Sequence, residues 1–301
     1  MTQLPDTSGN ALADKRFELA QMFIERRDLE AAADLMRQAL DLAPDWAECQ
    51  FTLAETLMLM GQNAPAVEIF RTYLKRDPTD SMGAHAKLVI LGAASATAEL
   101  PAAYVERLFD QYAPRFEKSL VEGLKYSAPE HIRAALGQRY PERRFAAALD
   151  LGCGTGLMGV AIRPMADRLE GVDLSDGMLA QAKRKNVYDT LAHLDMSAAL
   201  SGKAAVYDLI LAADVFVYAG DLAGVTNYAH AALTSNGVVA FTVQALPDGD
   251  YQLGHDQRFS HSESYIRRVL SAFASVSVTP GTFRRDRDKD VPGLLVLAEK
   301  L

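Results

Sequence analysis

Hydrophobic positions in the first hundred residues recur at three- and four-residue spacing, which predicts amphipathic helices. They also repeat in phase. Leu19, Ala20, Phe23, Ala32, Met36 and Ala39 precede Pro44, and Leu53, Ala54, Leu57, Ala66, Phe70 and Tyr73 precede Pro78, 34 residues later. Small residues at Ala20/Ala54 and Ala32/Ala66 let antiparallel helices approach closely. Each proline stops a second helix, because it has no N–H for the next turn. A degenerate third unit begins near Ser81, with apolar Leu88, Val89 and Leu91. Residues 101–140 keep a helical pattern, in which FDQYAPRFE (109–117) and LKYSAPEHI (124–132) stand out. The texture then changes. FAAALDLGCGTGLMGVAI (145–162) is an apolar run, a glycine cluster and a helix. RLEGVDLS (168–175), VYDTLAHLD (187–195), YDLILAADV (207–215) and GVVAFTVQA (237–245) follow as short apolar strands, most of them separated by helical stretches. Such alternation predicts an α/β fold with a largely parallel sheet covered on both faces. At the end, FASVSVTP (273–280) and GLLVLAEK (293–300) predict an antiparallel hairpin. The RRDRDKD stretch between them (284–290) reads as a wet connecting loop, because its charges alternate in sign.

A chain of 301 residues is long enough for two cores. The boundaries expected are a helical repeat domain over 1–95 and a second domain over 96–301, with a helical cap (96–144) and an α/β core (145–301). The repeat resembles the tetratricopeptide (TPR) family, whose usual task is to bind partner segments, so a protein partner is expected through residues 1–95. Hydrophobic residues at 49% and charged residues at 23% exclude a wholly disordered chain. The 31 Lys and Arg against 39 Asp and Glu leave a net charge of −8, which argues against nucleic-acid binding. No apolar run approaches the roughly 20 residues that span a bilayer, and the N-terminus lacks the regions of a signal peptide. Two cysteines, Cys49 and Cys153, are too few for a disulfide framework or a zinc site. A soluble cytoplasmic protein, with no membrane partner and no metal, is expected.

The glycine cluster carries two overlapping signals. Gly154, Gly156 and Gly159, with Asp173 one strand later, satisfy the dinucleotide fingerprint. Asp150, Gly152, Gly154 and Gly156 satisfy another pattern, which resembles motif I of the class I methyltransferases that use S-adenosylmethionine (SAM). Both let the backbone approach a ligand, and both place an acid for ribose hydroxyls. They differ at the helix start: a pyrophosphate suits a bare helix N-terminus, whereas SAM carries a sulfonium and an ammonium that favour a carboxylate such as Asp150. The dinucleotide phasing also leaves Asp150 and Gly152 unexplained, so SAM is favoured over NAD.

DLGCGTG (150–156), GVDLS (171–175) followed by Met178, LDM (194–196) and YDLILAADV (207–215) stand in the order of that methyltransferase family. Nearly the whole chain resembles bacterial predicted methyltransferases with TPR repeats. More distantly it resembles small-molecule methyltransferases of ubiquinone, biotin-precursor and trans-aconitate type. The resemblance implies a Rossmann-like seven-stranded sheet behind an N-terminal TPR-like domain, with SAM as cofactor. It implies that Asp173 holds the ribose, Asp195 accepts from the adenine amine, the Met196 backbone reads the ring, and Asp214 stands where donor and acceptor meet. Gly152, Cys153, Gly154, Gly156, Leu174 and Met178 complete the expected cofactor contacts. A helix with Phe109, Asp110, Tyr112 and Ala113 matches one that folds over the cofactor in those relatives, so Tyr112 and Tyr126 are expected at the methionine end or, equally, as core aromatics. For Asp173 and Asp195 the plainer role is capping of the next helix or turn.

SAM brings a reactive methyl group, which leaves the protein the task of alignment and water exclusion. The acceptor expected is a small, acidic molecule. Tyr218 and the segment YQLGHDQRFSHSESY, with His255, Arg258, His261 and Tyr265, form the expected acceptor lid. Arg258 would pair with an acid through its planar fork, and His261 or Tyr218 would serve as base. His261 also fits a helix start, with Ser262 as cap. Cys153 has no evident activating partner and is not expected to be a nucleophile. Two other classes stay open: a protein methyltransferase that recruits its target through the repeats, and a non-catalytic SAM-binding scaffold.

Overall fold

The computed structural model describes residues 7–113, 116–117, 123–286 and 289–301. The chain forms two compact units, Met1–Ser95 and Ala96–Leu301.

The first unit is helical: α1 (Ala11–Glu25), α2 (Leu29–Leu42), α3 (Ala47–Leu59), α4 (Asn63–Arg76) and α5 (Ala84–Ile90). Asn10 and Asp28 cap α1 and α2 by accepting backbone N–H groups that the first turns leave unpaired. The phase-matched positions meet inside. Ala20, Ala54, Ala32 and Ala66 are fully buried, and Met36, Phe70 and Tyr73 fill the space between the helices. Leu19 departs from the repeat: it is 42% exposed where its counterpart Leu53 is 5% exposed. The reason is position in the stack, since α1 packs on α2 whereas α3 lies against both α2 and α4. The third unit is represented by the short α5, which packs on α4 and buries Leu88.

The second unit begins with α6 (Ala102–Tyr112) and α7 (Ala128–Arg139). In the sequence-predicted helical segment 109–117, Pro114 and Arg115 lie outside the described residues. The α/β part follows in the order β1 (Phe145–Leu151), α8 (Leu157–Ile162), β2 (Ala166–Asp173), α9 (Asp176–Lys185), β3 (Thr190–His193), α10 (Met196–Leu200), β4 (Tyr207–Ala212), α11 (Ala223–Ala232) and β5 (Leu233–Leu246). It closes with β6 (Tyr251–Leu253), β7 (Phe259–Ser262), α12 (Glu263–Val269), β8 (Ser275–Asp286) and β9 (Lys289–Glu299).

Seven strands run in the order β3-β2-β1-β4-β5-β9-β8, parallel from β3 to β5 and antiparallel beyond. Central strands are apolar on both faces. On β4, Tyr207, Ile210 and Ala212 enter one core while Leu209 and Leu211 enter the other, and on β9 Leu294, Val296 and Ala298 oppose Leu295 and Leu297 in the same way. Residues of α10, α11 and α12 cover the first face, and residues of α7 and α8 the second. This is the largely parallel, doubly covered sheet the alternation predicts, in the Rossmann-like form the resemblance implies.

Two details depart from expectation. The β9 pairing with β5 ends at Gly293, and β7 takes over the same edge of β5 from Gln244 to Leu246. With β6 it makes a hairpin that raises the sheet to nine strands, where the sequence suggested a lid loop. The charged run is not a wet loop over most of its length either. β8 continues to Asp286 and β9 starts at Lys289, and Arg284 is buried. Arg287 and Asp288 lie outside the described residues.

Candidate functional site

The strand order reverses between β1 and β4, and ligands of open α/β sheets bind beyond the strand ends at such a switch. A cavity of about 300 Å³ opens there. One end is lined by the segments that follow β1 (Gly152, Cys153, Gly154, Thr155), β2 (Asp173, Leu174) and β3 (Leu194, Asp195, Met196, Ser197). The other end, beyond β4 in the strand order, is lined by Ala213, Asp214, Val215, Tyr218 and Arg258, and Leu100, Val105, Phe109, Phe116 and Tyr126 complete the lining.

The glycine loop is shaped by positive φ. Gly152, Gly154 and Gly156 have φ of 59, 54 and 91°, a region that costs glycine little. A Cβ on Gly152 would lie 2.6 Å from Val215 Cγ2, whereas one on Gly154 would meet nothing within 4 Å and would project into open space. Asp173 ends β2 with its carboxylate held on both sides. Oδ2 accepts from Gly154 N–H at 2.8 Å and Oδ1 from Ser175 N–H at 2.9 Å. Burial raises its pKa against those backbone donors and that of Leu174. Each oxygen keeps a second lone pair for a ligand hydroxyl. Asp195 caps α10 through Oδ1, which accepts from Ser197 and Ala198, and its other oxygen has no such duty. Capping and ligand contact are therefore compatible roles for one side chain. The Cys153 thiol is pushed well above its ordinary pKa by burial and stays neutral, and its backbone N–H ties the loop to Val172.

Several expected contacts are elsewhere. Asp150 does not line the cavity. It is 1% exposed, accepts from the Tyr188 hydroxyl at 2.6 Å through Oδ2, and leaves Oδ1 without a partner. Burial pushes its pKa up to about 7, against the Tyr188 hydrogen bond and with help from Asp173. Gly156 and Met178 also lie off the cavity: Gly156 starts α8 in the left-handed region, and Met178 is buried in the first turn of α9. Tyr112 packs edge-on against Phe116 without lining the cavity, while Tyr126 lines it and donates to the Ala213 carbonyl at 3.2 Å. Tyr188 escaped the sequence reading. A Cβ on Gly159 would fall 2.3 Å from its ring, and Gly156 and Gly171 are close to it too. The third glycine of the dinucleotide phasing is thus explained by packing on Tyr188, and needs no pyrophosphate.

The expected base is also displaced. His261 sits on β7, fully buried, with Nε2 3.0 Å from both the Ala219 and Gly220 carbonyls, and its ring stacks on Tyr265. Burial drives its pKa down to about 4 against those carbonyls. The strand pairing turns it inward, to pin the turn that carries Tyr218. Tyr265 donates to Asp221 and accepts from Leu222 N–H, so it braces that turn from behind. The helix-start expectation does describe its neighbour, since Ser262 caps α12. His255 is exposed on the β6–β7 connection and does not reach the cavity. Tyr218 lines it, with a hydroxyl pKa raised by burial and Asp214 and lowered in part by Arg258.

The cap is anchored by its own polar contacts. Leu100 N–H donates to the Tyr218 carbonyl at 3.0 Å, and Gly220 and Asp221 donate to Ala98. Asp110 of α6 accepts from the Ser175 hydroxyl and Gly177 N–H at the start of α9.

Asp150 and His261 oppose each other in the pH dependence of stability. The folded chain binds the Asp150 proton more tightly than the unfolded chain, so that group's contribution falls as pH rises from about 4 to 7. His261 binds its proton less tightly when folded, so its contribution rises from about pH 4 to 6.5. Each is on the order of 3 to 4 kcal/mol. Asp150→Asn is therefore expected to make stability climb more steeply from pH 4 to 7 than in wild type, and His261→Gln to flatten or invert it. Urea denaturation at several pH values measures this, and parallel curves for all three proteins would contradict it.

The cavity fits SAM. Its glycine-loop end offers backbone and the carboxylates of Asp173 and Asp195, and among the described lining residues its single cationic side chain, Arg258, is at the other end. That charge pattern suits a cationic cofactor and offers a pyrophosphate no counter-charge.

Fold and site thus define a Rossmann-like methyltransferase domain, and the comparisons agree. The methyltransferase domain family matches residues 149–239, and the tetratricopeptide repeat family matches residues 23–88. The chain carries a methyltransferase domain, preceded in sequence by tetratricopeptide repeats. It is 31% identical over 147 residues to the malonyl-[acyl-carrier protein] O-methyltransferase of Enterobacter lignolyticus, a match covering 49% of this chain and 58% of that one. It is 38% identical over 86 residues to human methyltransferase-like protein 27, covering 28% and 35%. The chain spans about half the length of such curated relatives, or less. Among solved structures, the DhpI–SAH complex has a TM-score of 0.49 at 17% identity, covering 65% of this chain and 95% of that one.

Proposed function

We propose that the protein transfers a methyl group from SAM to a carboxylate oxygen of a small acidic acceptor. The observation that carries this reading is Arg258, a guanidinium at the acceptor end of the cavity whose side chain is only 18% exposed. Burial works against its charge, but Tyr218, Asp214 and Asp256 outweigh burial and raise its pKa, so it stays a cation. A half-buried fork of this kind matches a carboxylate in shape and charge. Among the described residues lining the cavity none is a histidine or lysine, and the tyrosines there hold their protons firmly. An acceptor that needs no base suits such a site: a carboxylate is already a nucleophile at neutral pH.

Bound SAM supplies the electrophilic methyl group, and esterification of a carboxylate releases no proton. The chain's own part is to hold and to dry. Asp173 and Asp195 would hold the ribose and adenine, Gly152, Cys153 and Gly154 would let the backbone approach, and Arg258 would orient the acid. Leu100, Val105, Phe109 and Tyr218 would keep water from the line of transfer. The relative from Enterobacter lignolyticus is named for O-methylation of a malonyl group, itself a carboxylate.

The test is chemical. Protein given SAM labelled in its methyl group and a panel of short carboxylic acids should yield product whose label alkali releases as methanol, because esters hydrolyse. Label that survives alkali would mean transfer to nitrogen, carbon, sulfur or a hydroxyl oxygen and would reject the reading.

Residues 96–301 are proposed as the catalytic unit and 1–95 as the partner-binding unit. The tetratricopeptide match supports a protein partner for residues 1–95, separate from the methyl acceptor. Every described cavity residue lies after position 98, so a fragment of residues 96–301 is expected to fold and to bind S-adenosylhomocysteine within about threefold of the full chain. Calorimetry on both proteins checks it. An insoluble or non-binding fragment would make the repeats integral to the catalytic unit.

A further inference from the structure

We infer that Arg284, on the β8–β9 hairpin, is a positioning residue that keeps the acceptor-binding face of Arg258 available to an anion. The inference rests on the acid-acceptor reading above and starts from an irregularity in the hairpin. Thr282 pairs with Pro292 and Arg285 with Asp290, so Phe283 and Arg284 together oppose the one residue Val291. Bulges of this kind re-aim side chains. Here Phe283 and Arg284 are both buried although they are neighbours on a strand, and the Phe283 ring lies across Gly281 and Gly293, where a Cβ would come within 3 Å of it.

The bulge does two things at the cavity. Its backbone holds the segment that carries Tyr126: Ser127 N–H donates to the Phe283 carbonyl at 2.8 Å, and Arg285 N–H to the Leu124 carbonyl at 2.6 Å. Its buried guanidinium enters a charge cluster in which Asp214 and Arg258 are half-buried and Asp256 is exposed. Arg284 Nε lies 3.8 Å from Asp214 Oδ1, and Nη2 lies 3.4 Å from Asp256 Oδ2. Arg258 Nη1 lies 3.3 Å from Asp214 Oδ2.

Asp214 is thus shared between two guanidinium groups. Its backbone is fixed in the left-handed region, with φ of 60°, and its N–H donates to the Thr242 hydroxyl at 3.0 Å. A non-glycine residue held there at a ligand site is a strained arrangement that its surroundings must impose. The contact to Arg258 is single and long beside the roughly 2.8 Å of a charge-assisted bond. Arg284 draws the carboxylate the other way. Without it, Asp214 would close fully on Arg258 and neutralise the fork that an acceptor acid needs.

The probe is hexanoate, an acid with an apolar tail suited to Leu100, Val105 and Phe109, with hexanamide as neutral control. Binding is measured by NMR in the presence of S-adenosylhomocysteine, whose own affinity is measured by calorimetry. Arg284→Met is expected to weaken hexanoate at least tenfold, to leave hexanamide unchanged, and to change S-adenosylhomocysteine affinity less than twofold. Arg284→Lys, which keeps the charge, should recover most of the loss. Equal hexanoate binding in wild type and Arg284→Met would overturn the inference, as would an equal loss of all three ligands. If the wild type ignores hexanoate, the acid-acceptor reading fails. The Arg258 Nε–H resonance then decides the role of Arg284 alone: a shift in Arg284→Met that Arg284→Lys restores supports positioning, and an unmoved resonance rejects it.

Discussion

Asp173→Ala is expected to weaken SAM binding by about two orders of magnitude while leaving the fold intact. The carboxylate is buried at the end of β2, and both oxygens are aimed by backbone donors from Gly154 and Ser175. Two ribose hydroxyls bound to a charged acceptor would contribute roughly 1.5–3 kcal/mol each, and two such bonds at the low end of that range give the fold-change stated. The substitution also strands Gly154 N–H, which loosens the loop that the cofactor must approach. The wild-type carboxylate is itself strained by burial, its pKa raised. Its removal therefore relieves a desolvation cost, and the melting temperature should stay near that of wild type. Equilibrium dialysis with labelled SAM measures the affinity. A variant within threefold of wild type would show that the ribose is held elsewhere.

The second large effect concerns Arg258. Arg258→Lys keeps the charge but not the fork, and is expected to lower kcat/KM for an acid acceptor at least tenfold. Arg258→Gln should cost about 100-fold or more, because it also leaves Asp214 short of a counter-charge in a half-buried setting. Because Arg258 holds the acid before as well as during transfer, most of the loss should appear as a higher KM. SAM affinity should not move, since the residue stands at the other end of the cavity. Full activity in Arg258→Lys would remove the guanidinium from acceptor recognition. His261→Ala offers a contrast. It deletes a ring that touches carbonyls of the Tyr218 turn and no cavity space, so it should lower stability more than it lowers turnover at saturating acceptor.

What the sequence made legible depends on how local the physics is. The glycine loop, Asp173 and Asp195 could be placed at one cavity because backbone conformation and acids at strand ends follow from spacing along the chain. The repeat could be read because burying Ala20, Ala54, Ala32 and Ala66 between helices enforces a period. The acceptor end was harder. Arg284 looks like part of a solvated charge run until β8 acquires a bulge, and a bulge leaves no residue-type signature there. His261 looks like a base until β7 pairs with the end of β5 and faces it inward. Asp150 carries the motif, yet Tyr188, 38 residues away, takes its hydrogen bond. The glycines at 159 and 171 were the available signal for that ring, since each is a missing Cβ that something bulky must occupy. Asp110 was named as part of a resembling helix, but its contact with Ser175 and Gly177 shows what it does there: it docks the cap on α9.

The central claim is that the cavity at the β1–β4 switch holds SAM by carboxylates and backbone. Calorimetric titration of the full chain with S-adenosylhomocysteine, and in parallel with NAD, tests it most directly. One site of micromolar affinity, about −8 kcal/mol, is expected for S-adenosylhomocysteine, with no heat from NAD. Tight binding of NAD and none of S-adenosylhomocysteine would contradict it.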